Sequence, residues 1–444
     1  MISTNANVES WKSNVPESWS IIPLKFITSY NDEKLSELSD PDLIFDYIDI
    51  GSVSYENGIE TVQRCCFKDA PSRARRVVRE NDVILSTVRT YLKAGAIIPE
   101  HDRLMIVSTG FITIRAKETI LSQYLKYLIL SHGFVSEVEC RSYGSNYPAI
   151  NPVEIENITV PLPDIKSQES ITSFLDARCS SIDSAISKHQ QLIEKLEEYR
   201  KAVITQAVTK GLNPNVEMKD SGNMIIGTIP SSWQCPPLKM LLSDNENNMR
   251  VGPFGSSLPS RIFQDDGPWV YNQRCVLDNN FEATDVHIPE WKFEEMKSFA
   301  VYPGDMLITT RGTIGKVAIV PHDAKKGILH PCLIRFRLDN AKILNEYVQY
   351  VFNGTDIVMN QIKQASGSTT IEALYSGPLR SIKLPTPSVE EQHYIVSWLN
   401  IKCKKIVKTI EAHNQLISKL QEYKQSLIYN AVTGKIDCTT EASI

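Results

Sequence analysis

The chain has 444 residues, of which 42% are hydrophobic and 8% aromatic, and its formal net charge is -5. This length suggests about three domains, and no run approaches the ~18 consecutive apolar residues that a membrane helix needs. The polar start, residues 1–14, has no signal-peptide core. Nine cysteines without Cys-x-x-Cys pairs argue against a disulfide framework and a zinc site, so we expect small buried thiols in a reducing cytoplasm. DNA-binding proteins are commonly basic overall, so any nucleic-acid surface here must be local.

An internal repeat organises the chain. Residues 161–212 align without a gap on residues 385–436, with about 21 identities in about 52 positions at an offset of about 224. Each copy has the apolar spacing of a long helix, and each follows a block of about 145–155 residues. The order block, helix, block, helix predicts a chain that folds back into a pseudo-two-fold molecule with two similar surfaces.

The two blocks open alike and contain similar predicted elements. Residues 15–25 of the first block and 229–239 of the second share the pattern Pro-x-Ser-Trp followed by Pro-Leu-Lys. Short β-branched runs between turn residues predict strands at 44–50, 83–88, 111–114, 306–310, 317–320 and 333–336. Helical spacing is found near 120–138 and 342–362. Each block is therefore predicted to be a mixed α/β unit.

The repeated segments are predicted to be long helices that begin just after Pro163 and Pro387 and stop at Gly211 and Gly434. Ser388 and Glu391 have the spacing of a capping box. A 3.5-residue apolar period predicts a coiled-coil seam of Ile182, Ile186, Ile193, Leu196, Ile406, Ile410, Ile417 and Leu420, in which His189 and His413 are packed side chains. A second apolar row runs through Leu192, Leu196, Tyr199 and Val203, and through Leu416, Leu420, Tyr423 and Leu427.

These helices most simply pair with each other in antiparallel fashion; a helix used only for homodimerisation is the alternative. The predicted fold class is thus α+β, with two similar α/β domains separated by two long antiparallel helices that form an intramolecular coiled coil. The predicted boundaries are an N-terminal tail 1–14, a first domain 15–160, a helical region 161–210, a linker 211–228, a second domain 229–384, a distal helical region 385–436 and a C-terminal tail 437–444.

Motifs for catalysis or metal binding are missing. The segment 312–316, Gly-Thr-Ile-Gly-Lys, is too short for a phosphate-binding loop and has no following Ser or Thr for magnesium. The sequence contains no Gly-x-Ser-x-Gly, no His-Glu-x-x-His and no Asn-Pro-Pro-aromatic tetrapeptide for methylation of a base amine. We therefore expect a binding protein without catalytic residues, metal or cofactor.

Basic residues of the first block cluster between Arg64 and Lys93, where about eight cations face about three acids. Arg73, Arg75 and Arg76 are spaced densely enough to contact a phosphate ladder or a groove. A solvated loop of charges is the alternative. The strand that ends before Arg89 and Lys93 carries two further cations at its tip.

The second block has matching candidates. The strand beginning at Asp305 leads to a glycine-containing turn with Arg311 and Lys316, the counterpart of the segment 82–93. The loop 252–258, Gly-Pro-Phe-Gly-Ser-Ser-Leu, combines close backbone approach with the hydroxyls of Ser256 and Ser257, as a phosphate-binding loop would. Arg274 is a further candidate in this block. Paired basic tips predict a shared recognition edge.

In their order and duplication, these motifs resemble the specificity subunit of type I restriction–modification systems, over roughly residues 15–436. The resemblance includes the two Trp openings, the loop 252–258, the segments 305–316 and 70–76, the Gly-Ser-Thr-Thr run 367–370, and the Leu-Pro-x-Pro-Ser-Val-Glu-Glu-Gln start of the second helix. The first helix has Ser167 where the second has Glu391, which predicts a weaker cap or unequal partner-docking sites.

The resemblance implies two target-recognition domains that each read half of a split sequence in double-stranded DNA, with the helices as spacer. It implies a non-catalytic cytoplasmic chain that docks two methyltransferase subunits, which use S-adenosylmethionine to methylate adenine N6 on extruded bases. Restriction subunits that use ATP and Mg²⁺ are further possible partners. A tandem protein-binding adaptor is the rival interpretation, because it also accounts for the duplication and the negative charge.

Overall fold

The computed structural model describes residues 10–13, 15–244, 246–366 and 373–438. The Gly-Ser-Thr-Thr run 367–370 and parts of both predicted tails lie outside these residues. The chain divides into two compact units. Unit 1 contains Met1–Gln190 and His413–Ile444, and unit 2 contains Gln191–Ala412. Each unit therefore combines one block with a part of both long helices.

The first block contains twelve strands and four α-helices among the described residues. The strands are β1 (Ser20–Pro23), β2 (Thr28–Tyr30), β3 (Ile44–Ile48), β4 (Val53–Ser54), β5 (Gly58–Ile59), β6 (Gln63–Cys66), β7 (Ala74–Val78), β8 (Val83–Ser86), β9 (Gly95–Ile97), β10 (Met105–Ser108), β11 (Phe111–Ala116) and β12 (Thr159–Leu162). The helices are α1 (Leu24–Ile27), α2 (Ser122–Ile129), α3 (His132–Cys140) and α4 (Pro152–Glu156), and the long helix α5 (Ile165–Lys210) follows them.

The second block follows the same plan. Its strands are β13 (Met218–Asp220), β14 (Thr228–Pro230), β15 (Met249–Val251), β16 (Gln264–Tyr271), β17 (Ala300–Val301), β18 (Met306–Thr309), β19 (Val317–Ile319), β20 (Gly327–Leu329) and β21 (Leu333–Phe336). Its helices are α6 (Gln273–Leu277), α7 (Glu290–Glu295), α8 (Asn345–Gly354), α9 (Ile357–Ser366) and α10 (Ser376–Ser381), before the long helix α11 (Val389–Val432). The predicted strands and helical stretches of both blocks are confirmed.

One four-stranded sheet corresponds strand by strand in the two units, and a second sheet corresponds in part. Unit 1 has a sheet in the order β2-β11-β8-β9 and unit 2 has β15-β21-β18-β19, with antiparallel neighbours in both. A second sheet in each unit contains one parallel pair, β3 with β10 and β16 with β20. The sequence repeat is visible in the helices, and the fold extends it to the sheets.

Each core joins a block to both long helices. In unit 1 the core includes Ile171 and Leu175 of α5 with Ala431 and Val432 of α11. In unit 2 the equivalent residues, 224 positions away in each case, are Ala207 and Val208 of α5 with Ile395 and Leu399 of α11. Buried tyrosine hydroxyls link block to helix, since Tyr124 donates to the Val432 carbonyl at 3.5 Å and Tyr347 to the Val208 carbonyl at 3.0 Å.

Within each unit, the helix segments are antiparallel. In unit 1 the Lys424 ammonium lies 2.7 Å from Asp183, and the His189 and His413 rings lie 5.0 Å apart. In unit 2 the Lys402 ammonium lies over the Tyr199 ring at 5.8 Å. From one pair to the next, residue numbers rise along α5 while they fall along α11, so the two helices are antiparallel. The packed role expected for both histidines agrees with this geometry.

Both helix ends form as the residues predict. The helices start two residues after Pro163 and Pro387, and Gly211 and Gly434 follow them in the left-handed region at φ 75° and 69°. Such a C-terminal stop favours glycine. Trp233 packs beside Gly211, and Trp19 packs beside Gly434.

The segments expected to be tails or linker contain packed residues. Trp11 is buried and donates to the Glu137 carboxylate at 2.9 Å, and Cys438 is also buried. Residues 211–228 contain β13, and Ile226 belongs to the core of unit 2. Within the described residues, none of the helices has the length and apolar character required to cross a membrane.

Candidate nucleic-acid interface

In unit 1, several segments converge at one edge of the β2-β11-β8-β9 sheet. Because the strands are antiparallel, the end of β8 and the starts of β9 and β11 lie at this edge. The turn 87–93 leaves it, and its Arg89 is exposed. Arg73 joins the same edge, since its carbonyl accepts from the Thr109 amide at 2.8 Å. Two of the predicted DNA-contacting arginines are thus brought together.

In unit 2, the equivalent edge carries the equivalent segments. The ends of β15 and β18 and the starts of β19 and β21 meet there. The loop with Ser256 and Ser257 leaves β15, and the turn with Arg311 leaves β18; all three side chains are exposed. The structure therefore gathers the predicted loop and the predicted basic turn at one sheet edge.

A threonine organises each edge. The Thr87 hydroxyl donates to the Gly110 carbonyl at 2.8 Å, and the Thr87 carbonyl accepts from the Ile150 amide at 2.9 Å. Thr310 has the same two partners in unit 2, the Cys332 carbonyl at 2.9 Å and the Leu374 amide at 2.9 Å. Both threonines are buried. These hydrogen bonds tie the turn after each strand to a segment that comes much later in the chain. The sequence motif did not indicate this role, because its basic residues were the more prominent feature.

A buried aspartate holds the start of each of these strands. Asp82 accepts two hydrogen bonds from Arg115, both at 2.7 Å, and these raise the pKa of the Arg115 guanidinium. Asp305 accepts from Arg337 at 2.6 and 3.2 Å. The first aspartate of the motif is therefore a scaffold residue.

The three predicted arginines of the segment 73–76 have different surroundings. β7 is irregular here, since Arg76 pairs with Val107 and Ala74 with Ser108, which leaves Arg75 as the extra residue of a bulge. The Arg75 guanidinium lies 5.0 Å from the Phe67 ring. Arg76 is half-buried beside the Thr109 carbonyl, and burial lowers the pKa of its guanidinium. Arg73 is the exposed member of the three.

Several other cations of the first block are paired with carboxylates. Arg64 lies 3.4 Å from Asp46, Lys68 2.8 Å from Asp42, and Arg79 2.7 Å from Glu33. Lys93, a predicted DNA contact, lies 3.2 Å from Glu139 and is three-quarters buried. The local charge excess counted from the sequence is consequently reduced by acids that are distant in sequence.

The remaining candidates of the second block differ in their surroundings. Arg274 is exposed on α6 and pairs with Asp278 at 3.2 Å. The exposed Lys316 donates to the Asn353 carbonyl at 3.5 Å. Gly252 is required by close approach, because a Cβ there would lie 2.2 Å from the His330 carbonyl oxygen. The close contact predicted for this loop is therefore made with the protein backbone.

Exposed aromatic side chains at both edges were missed from the sequence. In unit 1, Tyr143 and Tyr147 of the loop 141–149 are 74% and 69% exposed. In unit 2, Phe254 of the loop 252–258 is 85% exposed. The signal was available, since two tyrosines lie in a Ser/Gly/Asn/Pro-rich segment where loops carry function.

The seam residues are buried or half-buried, whereas most residues between them are exposed. The second row is corrected in part. Leu192, Tyr199, Leu416 and Tyr423 are 44%, 48%, 40% and 57% exposed, so these four do not form a packed seam.

Both long helices start where predicted, but their capping interactions differ from expectation. The Ser388 hydroxyl accepts from the Glu391 amide at 3.2 Å, but the Glu391 carboxylate accepts from the Trp233 indole at 2.9 Å and does not complete the capping box. In α5, Asp164 accepts from the Ser167 amide at 3.0 Å. Hydrogen bonds from Ser167 lower the pKa of the Asp164 carboxyl. Asp164 therefore caps α5, although Ser167 stands where α11 has Glu391.

None of the nine cysteines forms a disulfide. Cys179, Cys275 and Cys438 are buried as expected, whereas Cys140 is exposed and the other five are partly buried. Among the residues that the structure describes, His, Cys, Asp and Glu side chains form no group that could hold a metal ion.

The chain thus has a duplicated α/β fold, in which each unit packs against a segment of both long helices and carries an exposed arginine turn at one sheet edge. This architecture defines a class of proteins built from two similar α/β units. The chain belongs to the family of the type I restriction modification DNA specificity domain, whose model matches residues 71–198 and 263–422. Members are the non-catalytic specificity subunits of type I restriction–modification systems, in which other subunits carry the catalytic activity.

Relatives and solved structures agree with this assignment. The putative type I restriction enzyme MjaX specificity subunit of Methanocaldococcus jannaschii is 23% identical over 441 residues, covering 96% of this chain and 95% of that one. The EcoKI specificity subunit of Escherichia coli is 21% identical, covering 95% and 90%. A chain solved in a study of complex assembly and conformational transition of the type I R-M system has a TM-score of 0.70 at 20% identity, covering 95% and 99%. That structural likeness supports the predicted fold class.

Proposed function

We propose that this chain reads a bipartite sequence in double-stranded DNA, with one half-site recognised at the sheet edge of each unit. The observation that carries this proposal is the recurrence of an exposed arginine turn at equivalent edges, with Arg89 in unit 1 and Arg311 in unit 2. Cations supply affinity through phosphates, and base-edge contacts supply specificity. In this proposal the target-recognition domains are residues 15–160 and 229–384.

The test uses the chain in complex with its methyltransferase subunits. Single-molecule methylation mapping of a host genome identifies the target, and duplexes with that sequence are then titrated at several salt concentrations. We expect binding that weakens steeply with salt. Arg89→Ala and Arg311→Ala should each weaken binding by about tenfold or more, which corresponds to one good base contact.

Matched controls remove a charge elsewhere in the same block. Arg79→Ala and Lys297→Ala delete exposed cations that pair with Glu33 and Glu294, respectively. They should change affinity by less than about twofold. A chain that binds no duplex at any salt concentration would support the rival interpretation, a protein-binding adaptor.

We further propose that the helical regions 161–210 and 385–436 set the gap between the half-sites, as dimer geometry sets spacing in other DNA-binding proteins. Inserting one heptad into both 182–203 and 406–427 should lengthen the gap while leaving both half-sites unchanged. Methylome sequencing would show it. Altered half-sites with an unaltered gap would contradict the spacer role.

The same proposal includes docking of two methyltransferase subunits on the helices. Its support is the matched exposed pairs, Leu192 with Tyr199 in unit 2 and Leu416 with Tyr423 in unit 1. Each pair occupies the same repeat positions, as expected for two copies of one partner. Exposed aromatic residues commonly anchor protein interfaces.

Changing one pair to Asp should remove about one of the two partners from the purified complex, and changing both pairs should remove both. Mass measurement of the intact complex would count them. Glu194→Lys with Glu197→Lys, on another exposed face of α5, is the control and should leave both partners bound. Retention of both partners by the quadruple variant would contradict this docking site.

We assign no cofactor to this chain. In the proposed complex, S-adenosylmethionine serves the methyltransferase subunits, and ATP with Mg²⁺ serves restriction subunits where these are present. The proposed DNA ligand places the complex in the cytoplasm.

A further inference from the structure

We propose that the loop 141–149, together with Arg89, determines the base sequence that unit 1 recognises in its half-site. This inference rests on the proposed DNA-reading function and assigns a specificity element that the basic motifs did not indicate. Its ligand is a stretch of base edges in duplex DNA, contacted by tyrosine rings and one guanidinium.

The loop is a closed and anchored structure. The Tyr143 amide donates to the Ala149 carbonyl at 2.8 Å, and the Ala149 amide donates to the Tyr143 carbonyl at 2.9 Å. The next residue, Ile150, donates to the carbonyl of Thr87, which begins the arginine turn. The loop and the turn are therefore held in fixed register on the same buried threonine.

The loop presents two large apolar surfaces to solvent. Tyr143 is 74% exposed and Tyr147 is 69% exposed. A tyrosine has only two side-chain torsions, so it supplies much contact area at low cost in conformational entropy. Tyrosines held on a rigid loop beside a cation suit a ligand with flat apolar surfaces and negative charge, which describes bases on a phosphate backbone.

Arg89 joins this surface. Its guanidinium carbon lies 5.2 Å from the centre of the Tyr147 ring, within the range of a cation–π contact. The N–H donors of a guanidinium match the O6 and N7 acceptors of guanine. The exposed Arg73, whose carbonyl is tied to the neighbouring Thr109 amide, adds positive charge at the same edge.

The backbone of the turn favours glycine, yet it carries arginine and lysine. Arg89 and Lys93 have φ of 51° and 53°, in the left-handed region. Other non-glycine residues of this kind in the described chain are Asn31, Asn81 and Asn279, and asparagine tolerates the conformation. The equivalent turn of unit 2 has Gly312 and Gly315, at φ 63° and 84°.

Unit 1 thus has an arginine in a strained conformation at a position where the shorter turn of unit 2 has glycine, which adopts that conformation without strain. Strain of this type persists when the surrounding structure enforces it, and it is concentrated at functional sites. The observed outlier therefore points to a role for the Arg89 side chain that outweighs its conformational cost.

The experiment uses the complete chain in its methyltransferase complex and compares Tyr143→Ser with Tyr147→Ser, Arg89→Gly, and a control. The control is Phe26→Ser, which removes an exposed aromatic residue of the same block on α1, ahead of β2 and away from the edge where β2 ends. Single-molecule methylation mapping reports the specificity of each half-site separately, and titration of the wild-type target duplex reports affinity.

For the double tyrosine variant we expect relaxed specificity in one half-site only and at least about a tenfold loss of affinity. The other half-site and binding to unrelated duplex should stay within about twofold of wild type. Arg89→Gly should show a similar one-sided loss while its unfolding temperature is unchanged or higher, because glycine relieves the left-handed strain. Phe26→Ser should match wild type in both readouts.

Unchanged specificity and affinity in the double tyrosine variant would overturn the proposal. Equal loss at both half-sites, or a lowered unfolding temperature for Arg89→Gly, would also count against it, because either result indicates a structural role. A wild-type complex without any bipartite methylation pattern would instead overturn the proposed function itself, so the two failures are distinguishable.

Discussion

The two units share a backbone frame but differ in the residues displayed on it. The frame residues are equivalent in both, namely the buried threonine at each sheet edge and the buried aspartate that begins the preceding strand. At the left-handed positions of the turn that follows each threonine, unit 1 has Arg89 and Lys93, whereas unit 2 has Gly312 and Gly315. The two units therefore hold these segments in the same way but present different side chains on them.

The largest difference in stability between the two units should be found when their buried aspartates are replaced. Asp305 pairs with Arg337 and lies 3.8 Å from the fully buried Arg335, whereas the partner of Asp82, Arg115, is 25% exposed and also contacts Glu33 at 2.9 Å. Asp305→Ala removes the carboxylate partner of the buried Arg335 and should cost about 3–5 kcal/mol of unfolding free energy.

Asp82→Ala should cost less, about 2–3 kcal/mol, since Arg115 keeps both water and a second carboxylate. Denaturant titration of both variants measures the difference. An equal or larger loss for Asp82→Ala would show that burial of the arginines does not govern the two frames.

Replacing the buried glutamine near the start of each long helix should destabilise the two units by similar amounts. Gln168 and Gln392 are fully buried near the helix starts. Each accepts one backbone hydrogen bond, from the Leu121 amide at 2.8 Å or the Leu344 amide at 2.7 Å, and each donates to two carbonyls.

Alanine at either position should cost about 2–3 kcal/mol, because buried backbone groups lose their partners. The two losses, measured by denaturant titration, should agree within about 1 kcal/mol. A clearly unequal pair would break the equivalence of the two frames.

Replacing the tryptophan near the start of each block, Trp19 or Trp233, should again have a different effect on stability in the two units. Trp233 donates to Glu391, whereas the position equivalent to Glu391 in the first helix is Ser167. Trp233→Phe removes that hydrogen bond, so it should cost about 1 kcal/mol more than Trp19→Phe. Glu391→Ser should remove most of this excess in a double-mutant cycle with Trp233→Phe, and a coupling near zero would contradict the assignment.

The smallest expected effects concern the turns. Gly312→Ala should destabilise unit 2 by about 1 kcal/mol, because φ of 63° is unfavourable for alanine. Steric contact does not complicate this test, because the nearest neighbour of the added Cβ is Gln273 Nε2 at 3.5 Å. Arg89→Gly should shift the unfolding temperature the opposite way or leave it unchanged. Shifts of the same sign in calorimetry would contradict the strain argument.

Local patterns were sufficient to predict much of the fold. The run 333–336 is β21 residue for residue, and the glycines that end both helices have the expected positive φ. These features depend on neighbours in sequence. The ion pair of Arg79 with Glu33 and the exposure of Leu192 depend on segments distant in sequence, so composition and periodicity could not reveal them.

The candidate site was predicted only in part for the same reason. The two strand-and-tip elements were identified from their basic residues, but the turn of unit 1 is one residue longer, because Ser86 pairs with Ala94 while Thr309 pairs with Lys316. Counted from Thr87 and Thr310, Arg89 occupies the position of Gly312. The extra residue then places Lys93 at the position of Gly315, where an ungapped alignment would match it with Lys316, because turn length is set by strand pairing.

Each compact unit is completed by a helix segment encoded in the other half of the gene. Unit 1 needs residues 413–432, and unit 2 needs residues 191–210. The peptide bonds of residues 211–228 are therefore not what holds either core together. A chain cleaved there should remain associated without denaturant, and two separately expressed half-genes should complement each other in one cell. Exchange of one half between related genes would then combine different units without any change to the way that the helix segments pack against the blocks.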